Sequence, residues 1–406
     1  MATTSISTTT KAAAKSATLF TAGRAAFQPR QTYEVSPNIP RSFFLGHHHA
    51  GLARMRQMLA NIGLIIECRD FRVPITSWNP LLERSLASSS PADGRARIIV
   101  YTHRDLGPSE QSISHTAAAR LRDFHLAHKH AVEVLFTGQG RSHATATRDL
   151  LAAVKTVARE RDSLTGLRAL VVGMPNAGKS TLLNALRKRG VGAAKVARTG
   201  AQPGVTRKLS SPVRIVDAES GKNDPSLYGV GEGVFVMDTP GVFVPYVSDP
   251  EKMLKLALVG CVKDGIIPKE TLADYLLFRL NLAVAAGHHP EGGEGYEYMA
   301  RLHMDAPTND VSEFLEAVAR RVGKLAKGGR VNYEAAAEWA VQEWRSGGLG
   351  KLLLDEVTAE TLAAAMEAAK DDTLSMNQAR KREKEARKAR NQAKRLGIAN
   401  GGEGDV

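Results

Sequence analysis

Cysteine is scarce in this chain: Cys68 and Cys261 are the only two among 406 residues. They lie far apart and lack the paired spacing of a metal knuckle. A disulfide framework is excluded, and both thiols, set in apolar patterns, read as core residues of a chain folded under reducing conditions. No apolar run approaches the roughly 20 residues a membrane-crossing helix needs. Acids are missing from the start: Glu34 is the first Asp or Glu. The residues before it are rich in Ala, Ser and Thr, with Lys11, Lys15, Arg24 and Arg30 interspersed. They have no apolar centre, which excludes a secretory signal. The composition is that of an organellar transit peptide, the plain alternative being an unstructured terminus. Acids are also in deficit overall, 42 against 55 Lys and Arg, a net charge of +13. That balance calls for a polyanionic partner, either nucleic acid or an anionic membrane surface.

What is present begins with Gly173-Met174-Pro175-Asn176-Ala177-Gly178-Lys179-Ser180-Thr181. This run satisfies the phosphate-loop pattern G-x-x-x-x-G-K-[ST] at every position. An apolar stretch at 169–172 predicts a buried strand before it, and Leu182, Leu183, Ala185 and Leu186 predict a helix after it. Gly173 and Gly178 let the backbone curl until successive N–H groups point at phosphate, and the helix start adds its dipole. Lys179 is expected to reach the β- and γ-phosphates and the Ser180 hydroxyl to hold Mg²⁺. The competing reading, a glycine turn, does not account for those flanks.

A length of 406 residues with 43% hydrophobic residues allows two or three domains. Helical spacing covers about 51–62, and strands are expected at 64–67, 98–101 and 131–136, with a helix at about 144–157. The segments 213–216 and 234–237 predict paired strands joined by a polar surface insertion. Alternating strands and helices indicate an α/β fold, a mostly parallel sheet covered on both faces. After Pro250 helical patterns dominate, at 253–262, 269–282, 311–325 and 333–344. The expected organisation is a leader and linker at 1–40, the α/β domain at 41–250, an all-helical domain at 251–360 and a tail at 361–406. Between Arg380 and Arg395 the tail is crowded with Lys and Arg and has no Gly or Pro, so it predicts a helix with no apolar face to bury. A solvated tail is the bland reading; an RNA-backbone clamp is the functional one, with an anionic membrane as competing partner.

Asp238-Thr239-Pro240-Gly241 follows the strand at 234–237. An Asp there can sit behind Mg²⁺, and the glycine N–H can meet a γ-phosphate. Pro203-Gly204-Val205-Thr206 offers a loop hydroxyl, Thr206, for Mg²⁺. Guanine needs its own reader, usually N-K-x-D after a strand. No such motif follows Gly241, but Thr102-His103-Arg104-Asp105 follows the strand at 98–101. Asp105 supplies the carboxylate that accepts from the base; Thr102 lacks the carboxamide of Asn, and His103 stands where Lys would cover the ring. Phe136-Thr137-Gly138, after the next strand, is a second candidate loop for the base. The position after Gly241 is Val242, which cannot orient water.

The order of motifs is therefore base reader, phosphate loop, Thr206 loop, Asp238–Gly241 motif: a circularly permuted GTPase domain. Over residues 40–360 the chain resembles the circularly permuted GTPases of the YlqF/RbgA type, specifically their mitochondrial ribosome-assembly members. Phe44-Leu45-Gly46-His47 is similar to that family's opening F-P-G-H, with Leu45 in place of Pro. Asp70-Phe71-Arg72-Val73-Pro74 and Asn79-Pro80 are similar to its D-A-R-I-P and N-P segments. Lys263-Asp264 and Gly329-Arg330-Val331-Asn332-Tyr333 fall in the helical part as they do in the family. The resemblance implies that His47, within the triplet His47-His48-His49, orients or polarises the attacking water. It also implies that Asn176 coordinates K⁺ between the phosphates.

The function expected from residues and resemblance together is GTP hydrolysis with Mg²⁺ and K⁺ that drives assembly of the mitochondrial large ribosomal subunit. Catalysis would rest on His47, Lys179 and Thr206. The nucleotide would be held by Thr102, His103, Arg104, Asp105, Phe136, Thr137, Asn176, Ala177, Gly178, Lys179, Ser180, Thr181, Asp238 and Gly241. The partner is ribosomal RNA, the place the mitochondrial matrix with peripheral contact to the inner membrane, and the state a monomer. Two rivals stand beside this reading. One is an RNA-binding scaffold with a vestigial nucleotide site, favoured by the degenerate Thr102-His103. The other is an ATPase, disfavoured by Asp105.

Overall fold

The computed structural model describes residues 27–36, 38–40, 53, 55–87, 94–108, 113–161, 165–193, 211–221, 224–242, 247, 249–285 and 296–370, and 378, 381, 384, 385 and 388 of the tail. A six-stranded sheet forms its centre: β1 Leu64–Asp70, β2 Ala96–Thr102, β3 Glu133–Phe136, β4 Leu167–Gly173, β5 Val213–Val216 and β6 Val234–Asp238. Their order is β3-β2-β1-β4-β6-β5. The first five of these are parallel, and β5 pairs antiparallel with β6 at the edge. Helices α1 Pro80–Ala87, α2 Ile113–Ala127, α3 Gly140–Arg161 and α4 Lys179–Val191 flank the sheet.

Burial on both faces explains why β1 is buried at every position, as strands of covered parallel sheets are. Leu64, Ile66 and Cys68 point into a core shared with Leu150 and Val154 of α3 and Leu182, Leu183 and Leu186 of α4. Ile65 points the other way, among Met55, Leu59, Leu81 and Leu82. Strand periodicity of two separates these sets. The stretch between β5 and β6, expected to be a surface insertion, is mostly exposed or half-buried among its described residues and is anchored by a few buried ones. Leu227 and Val230 join the α3/α4 core, and Arg159 of α3 donates to the carbonyls of Tyr228 at 2.9 Å and Ser226 at 2.7 Å.

After β6 the chain is helical: α5 Pro250–Leu258, α6 Lys269–Ala285, α7 Glu297–Leu302, α8 Val311–Val322 and α9 Tyr333–Arg345. Asp249, Asp310 and Asn332 cap α5, α8 and α9 by accepting from backbone N–H groups, which satisfies donors the helix start leaves orphaned. Helix α6 is the axis against which α8 and α9 pack. Its Tyr275, Leu276 and Leu277 share a core with Phe314, Val318, Ala336, Ala340 and Trp344. That core also contains Val73 and Met174 of the α/β layer, so helices and sheet share a continuous apolar contact.

The chain then returns to the sheet. Asp355 accepts from the backbone N–H of Ile75 at 3.0 Å and of Thr76 at 2.6 Å, and from the Thr76 hydroxyl at 2.7 Å. Helix α10, Ala359–Lys370, packs against α1 and α2. Its Leu362 is buried beside Phe71 and Tyr101. Helices α1, α2, α7 and α10 are not among the elements predicted from the sequence. Among the described residues no helix is long and apolar enough to cross a membrane.

Candidate functional site

The parallel strands end on one rim, and at neighbouring β1 and β4 the connections leave in opposite directions, from β1 to β2 on one side and from β4 towards β5 and β6 on the other. Ligands of open parallel sheets bind at such carboxyl-end crevices. Here Asp70, Thr102, Phe136, Gly173 and Asp238 are the last residues of β1, β2, β3, β4 and β6. The loop 173–178 rises from β4 and turns into α4. A Cβ on Gly173, at φ 145°, would lie 2.3 Å from the Cys68 carbonyl oxygen, so the close passage over β1 requires glycine. Asn176 and Gly178 both adopt left-handed conformations. On the far side a Cβ on Gly241 would lie 2.5 Å from the Pro175 backbone, which keeps the segment after β6 pressed on the loop.

Lys179 is buried and donates to the carbonyls of Met174 at 2.7 Å and Gly173 at 3.3 Å. Burial lowers its pKa, and the nearby Asp238 opposes that shift. Ser180 Oγ donates to Asp238 Oδ2 at 2.5 Å. Asp238 is itself buried and its pKa is raised by that burial, against Lys179 and Ser180. An ammonium, a hydroxyl and a carboxylate thus meet at the mouth of a loop whose glycines keep side chains out. Thr181 faces outward and Ala177 inward. Val242 is buried, its N–H bonded to the Gly173 carbonyl at 3.1 Å and its carbonyl accepting from Asn79 at 2.8 Å. That side chain belongs to the core and has no role towards water.

Along the rim, the Thr102-His103-Arg104-Asp105 segment lies at the end of β2. Thr102 is 4% exposed. Its hydroxyl lies 3.1 Å from the Arg69 carbonyl and 3.3 Å from the Ala177 carbonyl, and its methyl would touch any Cβ on Gly178, at 3.1 Å. The Thr102 side chain therefore braces the phosphate loop. His103 is left-handed and its Nδ1 lies 3.1 Å from Asp70 Oδ2. Asp70 also takes a bidentate contact from Arg72 at 2.7 and 3.0 Å, and the Arg72 guanidinium, with the His103 contact, holds its carboxyl far below the usual carboxylate range despite burial. Arg104 lies 4.8 Å over the Phe71 ring, and its N–H donates to the Thr137 carbonyl at 3.0 Å. Asp105 is half-buried and so close to Gly138 that a Cβ there would lie 2.7 Å from its carboxylate. The two candidate base loops are thus brought together. Phe136 stacks on Tyr101 at 5.4 Å and meets Phe71 edge-on at 5.7 Å; it supports the loop through packing. The Thr137 hydroxyl pairs with His143 at 3.0 Å.

Comparison with known proteins decides the family. A profile described as a 50S ribosome-binding GTPase matches residues 168–281. Mitochondrial GTPase 1 of Schizosaccharomyces japonicus is 34% identical over 331 residues, 79% of this chain and 91% of that protein. The chain belongs to the mitochondrial GTPase 1 family. Mitochondrial ribosome-associated GTPase 1 of Ictalurus punctatus is 26% identical, covering 80% of this chain and 96% of that one. The solved structure of GNP-bound YlqF from T. maritima covers 75% of the chain and 97% of its own, with 20% identity and a TM-score of 0.43.

This GTPase is circularly permuted: β1 and β2 precede the phosphate loop in sequence, yet the end of β2 lies against it, Thr102 Oγ1 being 3.3 Å from the Ala177 carbonyl. A guanine nucleotide with Mg²⁺ suits the residues present, since the glycine cradle and buried Lys179 fit phosphate and the Ser180–Asp238 pair supplies hard oxygen donors. Asn176 donates through Nδ2 to the Gly260 carbonyl at 2.7 Å, so its carboxamide nitrogen faces the helical layer. His47 and Thr206 lie outside the described residues, as do Phe44-Leu45-Gly46, Pro203-Gly204-Val205, residues 1–26 and most of the basic tail. Cys68 and Cys261 are buried, and burial pushes both thiols up to about 12; they are core thiols as expected.

A second polar centre escaped the sequence reading. On the face of the sheet covered by α1 and α2, Glu67, Arg69, Glu83 and Arg97 form a buried ion network. Trp78 lies over Arg69 at 4.7 Å. His125, fully buried, has Nε2 2.9 Å from the Tyr101 hydroxyl and 3.3 Å from Arg69 Nη1. Arginine only donates, so Nε2 is an acceptor and the ring is neutral. Its remaining nitrogen faces His130 Nδ1 at 3.3 Å. The signal available was the run Glu67, Arg69 at alternate positions of an otherwise apolar strand.

Proposed function

We propose that this GTPase is an assembly factor for the large ribosomal subunit of mitochondria, acting in the matrix as a monomer. The GTP-bound form holds the particle through its RNA, and hydrolysis releases it. The observation that carries the nucleotide half of this reading is the single rim that holds Lys179, the Ser180–Asp238 pair and the Asp105–Gly138 loops together. The ribosomal half is supported by the relatives named mitochondrial ribosome-associated GTPase 1 and by the net charge of +13.

In this reading Asp105 accepts from guanine and His103, held by Asp70, covers the base. Lys179 neutralises the phosphates, with Gly178 and Gly241 offering N–H groups. Ser180 and Thr206, with Asp238 behind, would hold Mg²⁺, and Asn176 would hold K⁺; both ions would supply positive charge to the phosphates. Val242 cannot orient water, so His47 does, docked when the particle is bound. Residues 1–40 direct import, 41–250 form the GTPase unit, 251–360 bind the particle and 361–406 contribute cations, with the anionic inner membrane as the competing surface for them. The scaffold alternative requires a dead site, which a buried Lys179 facing Ser180 and Asp238 disfavours. The deciding experiment is GTP turnover by the purified protein with and without mitochondrial large-subunit particles. Stimulation by particles is expected; turnover indifferent to them would remove the ribosomal role and leave the GTPase.

A further inference from the structure

The turn between α8 and α9 is charged in a way the rest of the helical layer is not. From Arg320 to Asn332 there is no Asp or Glu, while Arg320, Arg321, Lys324, Lys327 and Arg330 all belong to it. Every residue from Gly323 to Arg330 is exposed. The segment is nonetheless ordered. Gly323 ends α8 in the left-handed conformation, with φ 70°. Leu325 and Val331 form an antiparallel bridge. Ala326 N–H donates to the Arg330 carbonyl at 2.7 Å and Asn332 N–H to the Lys324 carbonyl at 3.0 Å. Gly328 and Gly329, at φ 80° and 75°, turn the tip, and a Cβ on either would meet nothing within 4 Å.

Acids near the base of the turn are already engaged. Glu316 pairs with Arg320 at 2.9 Å and accepts from the Tyr333 hydroxyl at 3.1 Å. Glu334 pairs with Lys269 at 3.2 Å. Among the described residues Arg321, Lys324, Lys327 and Arg330 make no ion pair. A fixed hairpin that displays cations without counter-charges, and a bare glycine tip that lets a ligand approach the backbone, suits a line of phosphates. A membrane fits less well: Leu325 is the one large apolar side chain exposed at the tip, at 48%, and the nearby Tyr333 is tied to Glu316 at the base.

We propose that the α8–α9 hairpin is an RNA-backbone-binding surface that grips a phosphodiester strand of structured RNA through Lys324, Lys327, Arg330 and Arg321. It rests on the ribosomal reading above and names the surface that reading requires. Recognition is by charge and position, without base sequence. The far end of α9 carries Arg345, which donates to the carbonyls of Ala257 and Leu258 in the turn beside the phosphate loop, so one helix length, about 20 Å, separates the hairpin from Arg345.

The test uses the full chain, a labelled duplex RNA, and large-subunit particles, each titrated at several salt concentrations. Lys324→Ala/Lys327→Ala/Arg330→Ala should weaken binding to both and flatten the log–log salt slope by about 2–3, since each lost phosphate contact removes roughly 0.9. Basal GTP turnover and the melting temperature should not move. Lys324→Arg/Lys327→Arg/Arg330→Lys should restore affinity and slope, which a merely structural role for the turn would not require. An unchanged slope in the alanine variant, with native binding intact, would overturn the surface while sparing the ribosomal role. Loss of binding to anionic phosphatidylserine vesicles with RNA binding retained would reassign the hairpin to a membrane. Native protein that binds no particle at all would overturn both readings.

Discussion

The Asn176 side chain donates to the Gly260 carbonyl at 2.7 Å, joining the phosphate loop to the turn that leaves α5. Arg345 holds the same turn from α9, donating to Leu258 at 2.9 Å and Ala257 at 2.8 Å. The loop and the last helix of the bundle therefore share one short segment of backbone. Arg345→Ala should lower unfolding free energy by about 2 kcal/mol, and Asn176→Ala by about 1, as charged and neutral hydrogen bonds differ. Because they share 257–260, the double variant should depart from additivity by at least about 0.5 kcal/mol. Urea titration of the four proteins checks this; strictly additive losses would mean the turn transmits nothing.

Asp105 should decide the base. Its carboxylate lies against Gly138 in the loop that closes the rim, and Asp105→Asn replaces an acceptor with a donor. Preference should pass from guanine to xanthine nucleotides, by 10-fold or more at about 1.4 kcal/mol per decade. Competition of GTP, XTP and ATP for the site reads this out. A variant that still prefers GTP would place base recognition elsewhere.

Lys179→Ala should weaken GTP binding by about 30- to 100-fold, the equivalent of about 2–3 kcal/mol for a charge-assisted contact. The fold should survive, because the ammonium's protein partners are the Gly173 and Met174 carbonyls of the open loop. Calorimetric titration with GTP measures it, and unchanged affinity would move the phosphate site.

Water activation should depend on the histidine triplet. His47→Ala is expected to remove most of the particle-stimulated rate and to spare GTP binding, since Val242 is sealed in the core. Exchange of K⁺ for Na⁺ should slow native turnover and have less effect on Asn176→Ala. Full stimulation in His47→Ala would leave that residue a solvated loop position.

His125 predicts a pH effect on stability. Burial and the neighbouring Arg69 lower its pKa from about 6.5 to about 2. The unfolded chain therefore binds a proton below about pH 6.5 that the folded protein refuses. This stability contribution is complete above pH 6.5 and declines as pH falls from there towards 2. Between pH 7 and 5.5 the native protein should lose about 1 kcal/mol from this residue alone. His125→Gln keeps an acceptor for Tyr101 and Arg69 but does not titrate, so its urea midpoint should vary less over that range. Equal pH slopes in the two proteins would show that His125 is protonated in the fold.

Local chemistry made much of this molecule legible in one dimension. The phosphate loop is specified by residues adjacent in the chain, because glycine conformation and a helix start are local properties. The strands ending at Asp70, Thr102, Gly173 and Asp238 follow from apolar runs, and their order along the chain already implies the permutation. Asp105 could be picked out because it follows a strand. What Thr102 and Asn176 do with their polar atoms was decided by tertiary structure, since their partners, Ala177 and Gly260, lie 75 and 84 residues away. The Glu67–Arg69–Glu83–Arg97 network and the return of Asp355 to Thr76 were hidden for the same reason. A buried charge is tolerated only when opposite charge meets it; Glu67 and Arg69 pair within β1, but Glu83 and Arg97 reach them from α1 and β2, and no pattern within β1 records that they will.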